Sequence, residues 1–240
     1  MYTLEKRGSI FILTLTGPDA EHRLNPTAID SIKSALSTVK SQATPGSVLI
    51  TTAHGKFFSN GFDLKWAQQP GSPSGFQARL HHMVDYFKPV VADLLSLPMP
   101  TIAAVTGHAA AAGMLLAISH DYVVMRGDRG VMYMSELDIG MTFPEYFTAM
   151  FRSKIGKVGA RRDVMLAAKK VKAGDAVEMG LVDLVCEDGE KTVDAAVRMA
   201  EELGRKMWNG EIYAEIRKAM YPEICGVLSL TSKPIVAPRL

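Results

Sequence analysis

The chain has 240 residues, enough for one large domain or two small ones with ample core. Hydrophobic residues make up 48% and charged residues 22%, an ordinary balance for a soluble globular protein. The formal net charge of +2, with Lys and Arg scattered along the chain, gives no case for a nucleic-acid partner or an acidic surface.

In chain order, Tyr2 to Leu15 alternates like a pair of strands. Pro26 suits the first turn of a helix running to about Lys40. Val48 to Thr52 reads as a buried strand, and Gly75 to Leu97 has helical spacing, with Leu80, Val84, Phe87, Val91 and Leu94 near one face. Ile102 to Val105 is a predicted strand, Gly113 to Ser119 a helix and Asp121 to Arg126 a strand. Phe143 to Phe151 and Val158 to Ala168 read as helices. Ala173 to Met179 is a short helix stopped by Gly180, and Leu184 to Cys186 a strand. From Lys191 the pattern is helical: Val193, Val197, Ala200 and Leu203 share one face, and Ile212, Ile216 and Met220 continue the spacing until Pro222 stops it. Strands alternating with helices imply an α/β fold.

Several alternatives fall away. The two cysteines, Cys186 and Cys225, lack metal-ligand spacing and fit a reduced compartment better than a disulfide framework. The six histidines form no metal motif, and His81-His82 reads as a helix surface pair. Glu5, Lys6 and Arg7 precede only a short apolar run without a small-residue cleavage pattern, so no signal peptide is expected. Leu94 to Ser119 is uncharged and long enough to raise the question of a membrane span. Pro98, Pro100, Gly107, His108 and Gly113 interrupt it, and it reads as strand, turn and buried helix.

Two glycine-flanked strand ends carry the chemistry. In Thr101-Ile-Ala-Ala-Val-Thr-Gly-His-Ala-Ala-Ala-Ala-Gly113, a strand turns at Gly107 and a run of tiny residues leads into an apolar helix. Backbone N–H groups at such a junction can approach a ligand closely and hold negative charge on an oxygen. A tightly packed helix start is the equal alternative at this point. In Phe58-Ser-Asn-Gly-Phe-Asp-Leu64, the N–H of Phe62 follows a second turn at Gly61 and offers the other donor of a pair.

Four segments in order resemble the crotonase superfamily, the enoyl-CoA hydratases and isomerases, from about Leu13 to about Glu187. They are His22-Arg-Leu-Asn-Pro26, Phe58 to Leu64, Ile102 to Gly113, and Ala173-Gly-Asp-Ala-Val-Glu-Met-Gly-Leu-Val-Asp183. The resemblance implies a spiral of repeated ββα units over residues 1–190. It also implies a C-terminal helical segment over 191–240 that covers the site and builds a homotrimer. It further implies an acyl-CoA thioester substrate, with its carbonyl oxygen between the N–H groups of Phe62 and Ala112. The CoA moiety would thread along Arg23, Leu24, Ser59, Asn60, Asp63, Leu64 and Gly113, mostly against backbone. No cofactor beyond the substrate's own coenzyme A, and no metal, is implied.

The base decides the reaction. Hydratases of this family use two glutamates; the first position is Leu115 here, and the second is Glu136, in Ser135-Glu-Leu-Asp-Ile-Gly140. One carboxylate suffices for a 1,3-proton shift, whereas adding water needs a second group. The expectation is therefore a Δ3,Δ2-enoyl-CoA isomerase with Glu136 as base in apolar surroundings that raise its pKa. Glu145 is the rival carboxylate; Asp138 would point elsewhere, and His108 and Asp121 read as structural. Hydratase, thioester hydrolase or decarboxylase chemistry, and a non-catalytic CoA-binding role, are the alternatives. Pro238-Arg239-Leu240 resembles the peroxisomal address of the S-K-L type, which implies a peroxisomal import receptor as partner.

Overall fold

A computed structural model describes residues 2–17 and 20–233. Two sheets organise it. The larger has the strand order β1 (Tyr2–Arg7), β2 (Ile10–Leu15), β3 (Val48–Ala53), β5 (Thr101–Val105), β7 (Tyr122–Arg126) and β10 (Leu184–Cys186). Its first pair is antiparallel and the others are parallel. The smaller has the order β4 (Phe57–Ser59), β6 (His108–Ala110), β8 (Val131–Tyr133) and β9 (Val171–Lys172), parallel except for the last pair.

The strands come in consecutive pairs. β3 and β4, β5 and β6, and β7 and β8 each place their first member in the large sheet and their second in the small one. Helices close each unit: α2 (Leu64–Gln68) and α3 (Pro73–Ser96) after the first, α4 (Ala112–Ile118) after the second, α5 (Glu145–Lys154) and α6 (Val158–Met165) after the third. This is the ββα repeat that the resemblance implies and that no periodicity in the sequence reveals.

The central strands are buried on both faces, and their alternation splits the core in two. Phe11, Leu13, Leu49, Ala103 and Val105 point into the main core. Ile10, Ile12, Val48, Ile50, Ile102 and Ala104 point the other way, against Ala195, Ala196 and Ala200 of α8 (Gly189–Gly204). Helix α8 is thus seated on the large sheet.

Helix starts follow their local chemistry. The Asn25 side chain caps α1 (Pro26–Ser41) by accepting from Ala28 N at 3.0 Å, with Pro26 in the first turn. Ser72 caps α3, which begins at Pro73 rather than Gly75. Pro222 stops α9 (Gly210–Met220), as expected, and also opens α10 (Pro222–Val227), a helix the sequence pattern does not show. Within α9 the Arg217 guanidinium, itself buried, donates to the carbonyls of Leu97 (2.8 Å) and Met99 (2.5 Å) and pairs with Asp121 at 2.5 Å. That clasp ties α9 to the loop feeding β5. Among the described residues, no helix is long and apolar enough to cross a membrane.

Candidate active site

The first turn is held by the segment before α1. β4 ends at Ser59, and Gly61 adopts φ +70°, a conformation that glycine enters without steric cost. Asn60 N donates to Glu21 O (2.8 Å), Leu24 N to Gly61 O (2.8 Å) and Asp63 N to Leu24 O (3.1 Å). Buried Ser59 donates its hydroxyl to His22 O at 2.8 Å and accepts from Gly61 N at 3.3 Å. The amides around Phe62 are therefore engaged, while the Phe62 N–H meets no acceptor among the described residues.

The second turn follows β6. Ala111 sits at φ +50°, ψ −122°, a region L-residues avoid, and its N–H donates to Tyr133 O at 2.8 Å. Such a conformation costs on the order of 1–3 kcal/mol and persists only where its surroundings over-determine it. Ala112 opens α4, and its N–H likewise meets no acceptor among the described residues. The two turns touch: a methyl built on Gly61 would stand 3.4 Å from Ala112 N. The peptides of Phe62 and Ala112 therefore lie on adjoining turns.

Glu136 arrives on the neighbouring strand. β8 pairs with β6, Tyr133 opposite Ala110, and Glu136 follows in a turn closed by Met141 N donating to Glu136 O at 2.8 Å. Met141 then packs in the same apolar cluster as the side chains of Phe62, Leu64, Trp66 and Met83. Glu136 is 6% exposed, and its Oε2 has no hydrogen-bond partner among the described residues. Burial pushes its carboxyl above the usual range, against smaller lowering effects from the backbone N–H groups of Glu136 and Ser135. Asp138 and Glu145 are both exposed. Leu115, three residues into α4 from Ala112, is 0% exposed.

Three of the other predicted residues form a wall beside the first turn; Ser59, Asn60, Leu64 and Gly113 are not among its lining residues. Arg23, Leu24 and Asp63 line a cleft of about 280 Å³ with His22 and Asn25. Their side chains are largely committed. Arg23 pairs with Glu21 at 2.5 Å. Asp63 caps α2 through Trp66 N at 3.0 Å and accepts from Asn25 Nδ2 at 3.2 Å. Backbone is what this wall has to offer a ligand. Gly113 has no room for a side chain, since a methyl there would lie 2.2 Å from Ser59 O.

His108 and Asp121 were both read as structural from the sequence. His108 packs edge-on against Phe57, ring centroids 5.2 Å apart, with its Nδ1 buried and without a hydrogen-bond partner among the described residues. Asp121 is structural, but its partner Arg217 has no sequence signature and comes from 96 residues away. A cavity of about 530 Å³ does adjoin this pair, lined also by Trp208, Ile212 and Ile216. Burial alone would raise the Asp121 carboxyl, yet the Arg217 charge and hydrogen bonds hold it below the usual range. A carboxylate so neutralised is no base, and none of the predicted site residues lines that cavity. Among the described residues, no group of three His, Cys, Asp or Glu side chains could hold a metal ion.

The family model for enoyl-CoA hydratase/isomerase matches residues 5–223. Enoyl-CoA delta isomerase 2, peroxisomal, of Arabidopsis thaliana is 59% identical over 241 residues, covering 100% of both chains. Enoyl-CoA delta isomerase 3 of the same plant is 56% identical over 241 residues, again covering 100% of both. In fold, the chain is similar to a probable enoyl-CoA hydratase from Mycobacterium tuberculosis H37Rv, with a TM-score of 0.83 at 22% identity, covering 95% of this chain and 91% of that one. The full-length match and the ββα spiral together establish that the chain belongs to the enoyl-CoA hydratase/isomerase family.

Proposed function

We propose that the protein is a Δ3,Δ2-enoyl-CoA isomerase of unsaturated fatty-acid breakdown, with Glu136 as its single proton shuttle. The thioester oxygen of a 3-enoyl-CoA accepts from the N–H groups of Phe62 and Ala112. Those donors stabilise the enolate that forms when Glu136 removes a proton from C2. The C3–C4 double bond then shifts to C2–C3 as the same carboxyl returns a proton to C4, leaving the conjugated 2-enoyl thioester and a regenerated carboxylate. The observation that carries this reading is the combination of a buried Glu136, whose Oε2 has no hydrogen-bond partner among the described residues, with a buried Leu115. The first supplies a base, and the second leaves no group to position water. The names of the Arabidopsis relatives support the same reaction.

CoA runs along Arg23, Leu24, Ser59, Asn60, Asp63, Leu64 and Gly113, chiefly against backbone, and no further cofactor takes part. Residues 191–240 serve as lid and oligomerisation segment in a homotrimer, a reading supported by exposed Ile216 and Met220 on α9. The protein acts in peroxisomes, as the names of relatives suggest. The address Pro238-Arg239-Leu240, read by an import receptor, lies outside the described residues. A reporter carrying these three residues should enter peroxisomes and should lose that import without Leu240.

The test of activity follows 3-enoyl-CoA through appearance of the conjugated thioester, alongside loss of conjugation from supplied 2-enoyl-CoA. Isomerisation without hydration is the expected result. Hydration at a comparable rate would overturn the reading.

A further inference from the structure

Ala111 is joined to every part of the proposed machinery without itself offering a group to the substrate. Its N–H is bonded to Tyr133 O at 2.8 Å, on the strand that delivers Glu136. Its carbonyl carbon belongs to the peptide that presents the Ala112 N–H. Its side chain faces the other turn, since a methyl built on Gly61 would stand 3.1 Å from the Ala111 methyl and 3.0 Å from Ala110 O. Gly61 in turn immediately precedes Phe62. The Ala111 methyl therefore stands between the two donor-bearing turns, and φ +50°, ψ −122° at this residue is what turns it that way.

A glycine would hold these dihedrals without strain. It would also remove the methyl from between the two turns, leaving the backbone atoms Ala110 O and Ala112 N as the nearest neighbours of Gly61. The alanine carries backbone strain and in return supplies a fixed contact. From this we infer that Ala111 is a positioning residue: its methyl sets the spacing and direction of the Phe62 and Ala112 N–H groups before substrate arrives. Charge develops on the thioester oxygen only as the proton leaves C2, so a loosened donor pair costs turnover more than ground-state binding.

The inference rests on the isomerase reading, and the experiment separates the two. Ala111→Gly, Ala111→Ser and Glu136→Gln are compared with the unaltered protein for kcat and KM on 3-enoyl-CoA, Kd for a saturated acyl-CoA, and thermal unfolding. Ala111→Gly is expected to lower kcat by roughly 10-fold with KM and Kd within about 2-fold, while its unfolding temperature holds or rises. Ala111→Ser keeps a Cβ at a half-buried position and should retain kcat within about 2-fold. Glu136→Gln removes the base and should lower kcat at least ~100-fold. Full kcat in Ala111→Gly, beside a disabled Glu136→Gln, overturns the role of Ala111 alone. So does a loss in Ala111→Gly that merely tracks a fallen unfolding temperature. Full activity in Glu136→Gln overturns the isomerase reading itself.

Discussion

Gly113 lies directly on the carbonyl of Ser59: a methyl on its Cα would stand 2.2 Å from that oxygen and 2.8 Å from the Ser59 side chain. This contact welds the start of α4 to the end of β4 and so sets how the second turn meets the first. Gly113→Ala must push the strand and helix apart. We expect a loss of about 1–3 kcal/mol in stability, and at least ~10-fold in kcat as the donors separate. Thermal unfolding and steady-state turnover measure the two effects.

The protonation of Glu136 links activity and stability to pH with opposite signs. As a base it must be ionised, so kcat should rise with pH through a pKa above the usual ~4.3 of glutamate. For stability, a folded-state pKa raised above the unfolded one means the carboxyl helps fully below the unfolded pKa, and this help is lost as pH rises through the folded pKa. Glu136→Gln should therefore unfold at the same temperature as the unaltered protein, or a higher one, at pH 7, with the difference shrinking toward pH 4. Melting curves across this range check the sign.

Leu115 is fully buried, so Leu115→Glu introduces an unpaired carboxyl into packed hydrocarbon. The expected outcome is a loss of several kcal/mol in stability and weak hydration at most, because a water position would have to be built as well. Efficient hydration of 2-enoyl-CoA by this variant would contradict the assignment of Leu115.

The Arg217 clasp is a separate prediction about folding. Arg217→Met leaves Asp121 buried without its counter-charge and several carbonyls without a donor, including those of Leu97 and Met99. Breaking one half of such a pair costs about 3–5 kcal/mol. The Asp121 pKa is depressed in the folded state, so the pair stabilises above the unfolded pKa and the gain is lost as pH falls through the folded one. The deficit of the variant in chemical denaturation should thus be large at pH 7 and smaller in acid.

Much of this arrangement was legible in the residues. The strands Val48–Ala53 and Thr101–Val105 carry the apolar runs Val48 to Ile50 and Ile102 to Val105, and Pro26 and Gly180 mark helix ends that the structure places there. The small sheet was not legible: β4, β6 and β8 have three residues each, too short for any period to register. The strain at Ala111 was hidden for a different reason, since alanine signals no unusual backbone and only tertiary contacts impose one. Arg217 was missed because a buried ion pair between distant residues leaves no local pattern. The burial of Glu136 against the exposure of Asp138 and Glu145 likewise emerges only when β8 is laid beside β6.

The most direct test of the central claim is turnover of a 3-enoyl-CoA by Glu136→Gln, with acyl-CoA binding measured on the same preparation. Glutamine keeps the size of the side chain and removes the base. The account predicts isomerisation reduced by at least ~100-fold with binding preserved. Near-normal turnover by that variant would contradict it and return the proton transfer to another group, Glu145 first.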